Sequence, residues 1–351
     1  MQAKSPNFFY LMDLNMEGQL RNVLWADARS RSASQYFGDV VSFDTTYLKY
    51  KFNVPLVLFV GTNHHGQSIL LGCGLISEQV VENYIWLFKA WLTCTLGSAP
   101  NGIITDESKV TKAAVSEVFP KTRHRVCLWR MMKSIKEKLK EYTDYRSIKK
   151  ALGKVVFESS LVDEFEENWS RLINAFGLEG NEFFSSLFEA RNSWVPAFLK
   201  DTFWANMSIT CYKERINSFF EGHVHPETSL KNFFSMYEEV LSSKYETELQ
   251  ADYESFHKTG MFVTKFHMEE QMSKLYTFNM FKVFQDELKL SACCQASLVK
   301  VDAAISTFKV RECSIVSDAD RTENKNYHVS YNVEGSLVHC SCGFFSLGDS
   351  M

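Results

Sequence analysis

The fold of this chain is decided by the stretch Val40-Val41-Ser42-Phe43-Asp44-Thr45-Thr46-Tyr47. Its β-branched and aromatic residues predict a buried strand. A carboxylate inside such a strand loses its water, and a metal ion is one partner that would compensate for the loss. The simpler alternative is that Asp44 caps a turn, and the stretch taken alone favours that alternative.

Two more strand-like runs follow at short intervals, Val54–Thr62 and Ser68–Leu75. Asn53, Asn63 and Gly66 supply the turn signals between the runs, so neighbouring strands are expected to be antiparallel. His64-His65 falls in the second of these turns, where a solvated loop pair is favoured over a metal site because no acid or cysteine is near in sequence.

The segment that follows alternates helices and strands. The pattern predicts an amphipathic helix over 82–95, a strand over 102–106, a helix over 108–119 and a strand over 124–129, with a hairpin upstream at 11–21. Three consecutive strands, then helix, strand, helix and strand, is the α/β layout of the ribonuclease-H type, in which the first and fourth strands lie side by side. Asp44 and Asp106 are then expected at one edge, although they are 62 residues apart (106 − 44).

Further along the chain the apolar period becomes helical. Phe165, Trp169 and Leu172 recur at steps of three and four, and we interpret them as core residues rather than as a ligand box. A helix over 212–222 carries Glu214 near its start, residues 230–290 are expected to be wholly helical, and 297–311, 327–331 and 336–340 return to β character. The expected division is a lead-in segment (1–35), the first part of the core (36–130), an all-α insertion (131–205), the rest of the core with C-terminal helices (206–290) and a small β-rich segment (291–351).

Charge is distributed unevenly along a chain of 351 residues whose net charge is −4. Residues 109–154 contain fourteen Lys or Arg and four Asp or Glu, whereas residues 155–190 contain eight acids and one Arg. Two solvated helical faces of opposite sign would explain this as well as a nucleic-acid surface does. The candidate contacts to a phosphate backbone are Lys121, Arg123, Arg125, Arg130 and Lys133.

Other features of the composition limit the possible partners and compartments. Nine cysteines without a signal peptide suit a reducing compartment with buried thiols. The apolar stretches are interrupted well before 18 residues, so no membrane span is expected. No small-molecule substrate is indicated.

Three carboxylates from two strands and a helix can hold a pair of divalent ions for an in-line phosphoryl displacement. Asp44 and Asp106 would hold the ions, while Glu214 would complete one coordination shell and orient the water. Oxygen ligands suit Mg²⁺ or Mn²⁺. By pattern alone, Glu214 is one choice among forty-two acids.

Four ordered motifs resemble a known family. They are Phe43-Asp44-Thr45-Thr46-Tyr47, Ile104-Thr105-Asp106, His124-Arg125-Val126-Cys127-Leu128-Trp129 and Glu214-Arg215-Ile216-Asn217-Ser218-Phe219-Phe220. They resemble the plant far-red-impaired-response-related (FHY/FAR-related) proteins, which look like descendants of Mutator-like transposases. The resemblance implies a ribonuclease-H-like transposase core reused as a nuclear transcription regulator in light signalling, with DNA and related regulators as partners. It assigns the three acids to Asp44, Asp106 and Glu214.

Two departures from the family pattern disfavour DNA cleavage. Arg130 stands where the pattern has a His, and Lys213 and Arg215 flank Glu214 in place of small hydroxyl residues. Cations beside an acid pair with it or compete with a metal. We therefore expect a non-catalytic regulator. The alternatives are an active metal-dependent transposase or nuclease, and a protein-interaction module without DNA binding.

The C-terminal pair Cys340 and Cys342 resembles the first half of a SWIM-type zinc module. A structural zinc site needs four ligands, and residues 343–351 contain no Cys or His. We expect no stable zinc site within this chain, although the resemblance implies zinc in the full-length family. The family's N-terminal zinc-bearing domain is also missing, so we expect a shortened product or a fragment.

Overall fold

The computed structural model describes residues 6–48, 54–140, 142–159, 161–205, 207, 220, 228–258, 260–312, 325–335, 337–340 and 346–347. The chain forms two compact units. The first comprises Met1–Ile135, Thr202–Thr259 and Thr277–Met280, and the second comprises Lys136–Asp201, Gly260–Tyr276 and Phe281–Met351. Helices and two sheets together make the mixed α/β class that the sequence predicts.

The first unit is built on a sheet of seven strands. In chain order they are β1 Phe9–Leu14, β2 Leu20–Ala26, β3 Val40–Leu48, β4 Val54–Thr62, β5 Ser68–Ile76, β6 Gly102–Thr105 and β7 Arg123–Val126. Their order across the sheet is β1-β2-β5-β4-β3-β6-β7. The pairs β3–β6 and β6–β7 are parallel and the others antiparallel. The predicted adjacency of β3 and β6 is confirmed, and so are the antiparallel neighbours.

The helices in the described part of the chain can be given in one series. They are α1 Ala28–Phe37, α2 Val81–Cys94, α3 Lys109–Val118, α4 Leu128–Leu139, α5 Tyr145–Glu158, α6 Val162–Ala175, α7 Glu182–Glu189, α8 Leu230–His257, α9 His267–Leu275 and α10 Phe278–Ser291, with 3-10 helices at Arg191–Ser193 and Pro196–Phe198. The predicted strand over 124–129 is wrong at its end. The ladder stops at Val126, and Cys127 then begins α4 by accepting a hydrogen bond from the Arg130 N–H on its Sγ at 3.4 Å.

Aromatic packing joins α2 to one face of the sheet. The Phe59 ring of β4 stacks on Trp91 with centroids 5.1 Å apart, and Phe43 of β3 meets Phe88 edge-on at 4.9 Å. All four side chains are buried. Each such burial stabilises the fold by about 1.5–3 kcal/mol, and ring pairing adds about 0.5–1.5 kcal/mol.

On the opposite face of the sheet, α8 packs against β2. Leu24 of β2 belongs to the core on the α2 side, and its neighbour Trp25 packs on Phe233 and Tyr237 of α8 at centroid distances of 6.3 and 6.2 Å. Successive residues of a strand point to opposite faces, so the sheet is buried on both sides. α8 therefore returns to this unit from a distant part of the chain.

Close approach of α2 to the sheet depends on Gly74 of β5. A Cβ atom there would lie 2.7 Å from the Leu87 Cδ1 of α2 and 2.9 Å from the Val23 carbonyl oxygen of the neighbouring strand. A strand carbonyl cannot move aside without disturbing its ladder. The small residue is thus required by packing and not by backbone conformation.

The second unit contains the helical segment after α4. Phe165 and Trp169 of α6 and Phe184 of α7 are buried, and Phe165 meets Phe198 edge-on at 5.7 Å. The prediction that Phe165, Trp169 and Leu172 are core residues is confirmed. The predicted five-part division of the chain stays a prediction.

The run expected to be wholly helical is interrupted. α8 ends at His257, and non-helical residues precede α9. The cause is Glu269, whose carboxylate accepts hydrogen bonds from the Val263 and Thr264 N–H groups at 2.7 Å, the Thr264 hydroxyl at 2.6 Å and the Gln285 amide at 2.7 Å. Backbone groups that would continue a helix are used by this side chain instead.

A second sheet belongs to the same unit. Its strands are β8 Cys294–Asp302, β9 Ile305–Glu312, β10 Lys325–Asn332, β11 Leu337–Cys340 and β12 Ser346–Leu347, in the order β12-β11-β10-β9-β8. The run predicted over 297–311 is a hairpin rather than one strand. It turns at Ala303, whose φ is +49°. Among the described residues, no helix is long and apolar enough to cross a membrane.

Gly74→Ala is expected to lower the free energy of unfolding by about 1–3 kcal/mol, because the added methyl group meets backbone and a buried side chain. Urea titration followed by circular dichroism measures the change. Gly153→Ala in α5 is the control, since a Cβ there meets nothing within 4 Å. It should stabilise the helix by about 0.5–1 kcal/mol. Equal effects of both substitutions would contradict this packing argument.

The contribution of the Glu269 carboxylate to the free energy of unfolding is expected to be lost in acid. Burial opposes its charge, but the hydrogen bonds from Thr264, Val263 and Gln285 outweigh burial and lower the pKa from 4.5 to about 2. The carboxylate therefore stabilises the fold above about pH 4.5, and this contribution disappears as the pH falls towards 2. Urea midpoints of the wild type and of Glu269→Ala should differ at pH 7 and converge near pH 2.

Glu287→Ala serves as the control for this experiment. Glu287 is exposed on α10, so its removal should leave the urea midpoint at pH 7 unchanged. A constant difference between the wild type and Glu269→Ala from pH 7 to pH 2 would show that the carboxylate charge is not what holds residues 263 and 264.

Candidate functional site

Two predicted site residues are positioned by neighbouring strands: Asp44 lies in the middle of β3, and Asp106 directly follows β6. β3 and β6 pair in parallel with Ser42 opposite Ile104, an offset of 62 (104 − 42). Asp44 and Asp106 lie two positions further on and keep the same offset (106 − 44). Asp44 pairs through its backbone with Leu58 of β4. Its side chain is outside what the structure describes, so the position of its carboxylate relative to Asp106 stays a prediction.

Asp106 occupies the turn between β6 and α3. Its Oδ1 accepts a hydrogen bond from the Ser108 N–H at 3.2 Å, and Ser108 is the N-cap of α3. Burial raises the pKa of Asp106 above its ordinary value, and hydrogen bonds from Ser108 and Thr111 offset part of that rise. A carboxylate whose charge is disfavoured by its surroundings is one that a cation would stabilise.

A chain of hydrogen bonds connects β7 to this turn. The Thr105 hydroxyl donates to the Asp106 carbonyl oxygen at 2.8 Å and lies 2.8 Å from the His124 Nε2. The hydroxyl has one proton, so His124 must donate from Nε2. Burial, with Lys112 acting in the same direction, lowers the pKa of His124 to about 4, and the ring is neutral at pH 7. His124 therefore supports the turn without adding charge.

Glu214, with its flanking Lys213 and Arg215, lies outside the described residues, as does the predicted helix over 212–222. Cys342 is outside them too, whereas Cys340 ends β11. The convergence of three acids and the missing zinc ligands both stay predictions.

The oxygen ligands of the acidic set suit Mg²⁺ or Mn²⁺. This choice stays a prediction: Asp106 is a partly buried carboxylate directly after β6 and next to the strand of Asp44, whose side chain lies outside the described residues. Asp44 and Asp106 would hold the ion, which would polarise a phosphate oxygen.

The predicted nucleic-acid residues differ in accessibility. Lys121 and Lys133 are exposed, and Arg123 and Arg130 are half-buried. Arg125 is only 4% exposed, with its guanidinium 5.3 Å from the centre of the Trp204 ring. Arg125 thus contributes to packing, and a phosphate could reach the other four more directly.

A basic groove, which sequence reasoning did not single out, lies in the second unit. It has a volume of about 600 Å³. The residues lining it are Lys136, Tyr145, Arg146, Lys149, Lys150, Gly153, Lys154, Phe157 and Glu158. Five of the nine are cationic, and Lys149 and Lys150 are exposed. The charge surplus of residues 109–154 was the available signal. The helical period of α5 groups four of the five cations, and the fifth, Lys136, comes from α4.

The interpretation of His64-His65 as a solvated pair is wrong for one of its members. The His65 side chain is 0% exposed, and its Nε2 lies 2.9 Å from the Asp252 Oδ1 of α8. No signal near residue 65 could have indicated a partner 187 residues away.

Asp106→Asn is expected to raise the thermal midpoint at pH 7 in the presence of a chelator. The amide keeps an acceptor for Ser108 and removes a charge that burial disfavours. Because the pKa is raised, the carboxylate costs stability above its unfolded pKa, and the gain should shrink as the pH falls towards 4. Asp286→Asn, at an exposed position paired with Lys289, is the control and should give no gain. A lower midpoint for Asp106→Asn would contradict this assignment.

Comparison with known proteins adds an independent line of evidence. Residues 40–134 match the MULE transposase domain family. The chain is 42% identical to Protein FAR1-RELATED SEQUENCE 6 of Arabidopsis thaliana, over 99% of this chain and 49% of that protein. It is 38% identical to Protein FAR-RED IMPAIRED RESPONSE 1 of the same plant, over 98% of this chain and 41% of that protein.

The chain spans about half the length of the curated relatives it matches. A third, Protein FAR1-RELATED SEQUENCE 4 of Arabidopsis thaliana, is 36% identical over 98% of this chain and 46% of its own length. The family recognised from the motifs is thereby confirmed. Over almost its whole length, this chain is a homologue of the FAR1-related proteins and carries a MULE transposase domain.

Proposed function

We propose that this chain is a nuclear, DNA-associated transcription regulator of the light-signalling type, built on a domesticated Mutator-like transposase core. The observation that carries the proposal is homology over 98–99% of the chain to proteins named for the far-red response, together with the MULE domain. Transcription regulators and transposases both bind DNA, and the basic surfaces of this chain support the proposed association with DNA. Related family members and other regulators are its proposed protein partners.

The proposed core is ribonuclease-H-like. Supporting this, the order β5-β4-β3-β6-β7 places three antiparallel strands beside two parallel ones, with helices in the crossover connections. Such a sheet places its first and fourth strands side by side, and Asp44 of β3 and Asp106 after β6 lie two positions beyond the Ser42–Ile104 pair. Glu214 is the proposed third acid.

The core is proposed to be non-catalytic. Arg130, which stands in the place of the family's His, lies in the first turn of α4 next to the Cys127 cap. The sequence also has Lys213 and Arg215 beside Glu214. Positive charge near an acidic site competes with divalent ions for the carboxylates. Zinc binding by Cys340 and Cys342 is not part of the proposed function.

DNA contact is proposed to use the phosphate backbone. The basic groove offers Lys136, Arg146, Lys149, Lys150 and Lys154, and the first unit offers Lys121, Arg123, Arg130 and Lys133. Flexible ammonium groups on an open surface suit electrostatic contact better than base reading. Tyr145 and Phe157 line the same groove and could stack on exposed bases.

The test combines a binding and a cleavage measurement on the purified chain. Retention on duplex DNA should fall steeply with salt, with a logarithmic slope of about −0.9 per phosphate contacted. The double variant Lys149→Ala/Lys150→Ala should reduce the slope by about 2 if both contact phosphates. Lys89→Ala, an exposed lysine of α2 paired with Glu117, is the control and should leave the slope unchanged.

Supercoiled DNA incubated with Mg²⁺ or Mn²⁺ should remain intact. Metal-dependent nicking that disappears in Asp44→Ala and Asp106→Ala would instead support the active nuclease. Absence of any salt-dependent retention would support an interaction module without a DNA role and would overturn the proposal.

A further inference from the structure

The turn between β4 and β5 is held rigidly by one side chain. The Asn63 Oδ1 accepts hydrogen bonds from the His65 and Gln67 N–H groups, each at 3.0 Å. The Asn63 amide donates to Glu248 of α8 at 2.9 Å, and Gly66 completes the turn with a φ of +74°. The backbone that carries the two histidines is therefore fixed before any ligand arrives.

Each imidazole is held by its own set of neighbours. His65 is fully buried, and its Nδ1 has no hydrogen-bond partner among the described residues, so the polar contact of the ring is made through Nε2. His64 is 43% exposed, stacks on Phe37 with centroids 5.4 Å apart, and accepts a hydrogen bond on its carbonyl oxygen from Thr277.

Both imidazole rings point their Nε2 atoms towards Asp252 of α8. The Asp252 Oδ1 lies 2.9 Å from the His65 Nε2 and 3.2 Å from the His64 Nε2. The three ligand atoms all lie within 4.8 Å of one another, and the Asp252 side chain is 38% exposed. Two nitrogens and one oxygen thus converge at a point that solvent can reach on one side.

We propose that His64, His65 and Asp252 form a binding site for a divalent transition-metal ion, with zinc as the expected occupant. Ligand bonds of about 2.0–2.1 Å at tetrahedral angles place ligand atoms about 3.3 Å apart. The two distances to Asp252 are close to this value. Two imidazoles and a carboxylate select zinc over Mg²⁺, which prefers oxygen ligands alone.

The exposed side of the cluster leaves the fourth position to water. An ion in this site would join the β4–β5 turn to α8, the helix that covers one face of the sheet around Trp25. The site shares no residue with Asp44, Asp106 or Glu214, nor with Cys340 and Cys342. A metal bound here stabilises the first unit by linkage, because the unfolded chain does not hold these three ligands together.

The alternative for this geometry is a metal-free latch. In that state both Nε2 atoms would be protonated and would donate to the same carboxylate oxygen. The latch and the metal site predict different responses to added zinc, so one set of measurements decides between them.

The experiment uses the 351-residue chain carrying Cys340→Ser and Cys342→Ser, so that this thiol pair cannot supply the ligands. After removal of metals with a chelator, we expect titration with Zn²⁺ to reach saturation at one equivalent and to raise the thermal midpoint. Co²⁺ should give the visible absorption of a four-coordinate ion without the near-ultraviolet band of thiolate ligation.

The variants His64→Ala and Asp252→Asn alter side chains that are exposed and partly exposed, respectively, and are chosen because they should fold. Each should weaken Zn²⁺ binding by at least about tenfold and abolish the thermal shift. His257→Ala is the matched control, since His257 lies on α8 five residues beyond Asp252 and contacts Tyr253 instead. Its binding should equal that of the parent chain.

Three results would overturn the proposal. They are the absence of saturable binding, binding that persists unchanged in both variants, and a Co²⁺ spectrum with thiolate bands only. An apo protein that loses stability in Asp252→Asn while zinc has no effect on the parent would establish the metal-free latch.

Discussion

The parallel pairing of β3 with β6 is the constraint on which the first unit depends. These strands are separated by two antiparallel strands and a helix along the chain, yet Val40 lies opposite Gly102 and Ser42 opposite Ile104. Parallel neighbours need a crossover, and here α2 makes it. The crossover is stable because Phe88 and Trp91 of α2 are buried against Phe43 and Phe59 of the sheet. Without that burial, the two strands that position Asp44 and Asp106 would not be held side by side.

The buried charge of Asp106 lowers the stability of the fold, and neighbouring residues offset part of this loss. Burial raises its pKa, and the Ser108 N–H and Thr111 compensate only in part. The turn is held in place by the neutral His124 and the Thr105 hydroxyl rather than by an opposite charge. The same turn starts α3, because the Ser108 that donates to Asp106 is also the N-cap of that helix. Asp106 therefore has a structural role that does not depend on catalysis.

The local sequence pattern was sufficient to predict an element wherever a single hydrophobic period, of a strand or of a helix, dominated the segment. The strands over 54–62 and 68–75 and the helix over 82–95 were predictable to within a residue or two, because alternation and helical spacing report directly on burial. The prediction failed at junctions. β7 stops at Val126 because Cys127 caps a helix, and residues before α9 are non-helical because Glu269 binds the Val263 and Thr264 N–H groups. Such side-chain hydrogen bonds override the secondary-structure propensity of the segment, and they leave no trace in its hydrophobic periodicity.

By itself, the sequence determined the α/β class, the neighbouring positions of the Asp44 and Asp106 strands, and the family, because these follow from hydrophobic period and from ordered motifs. Only the tertiary structure decided that Arg125 is buried against Trp204, that five cations line one groove, and that Asp252 meets His64 and His65. Each of these depends on which faces of distant segments are pressed together. Spacing along the chain does not encode such contacts. The packing of α8 on the sheet, for example, brings Asp252 to the two histidines.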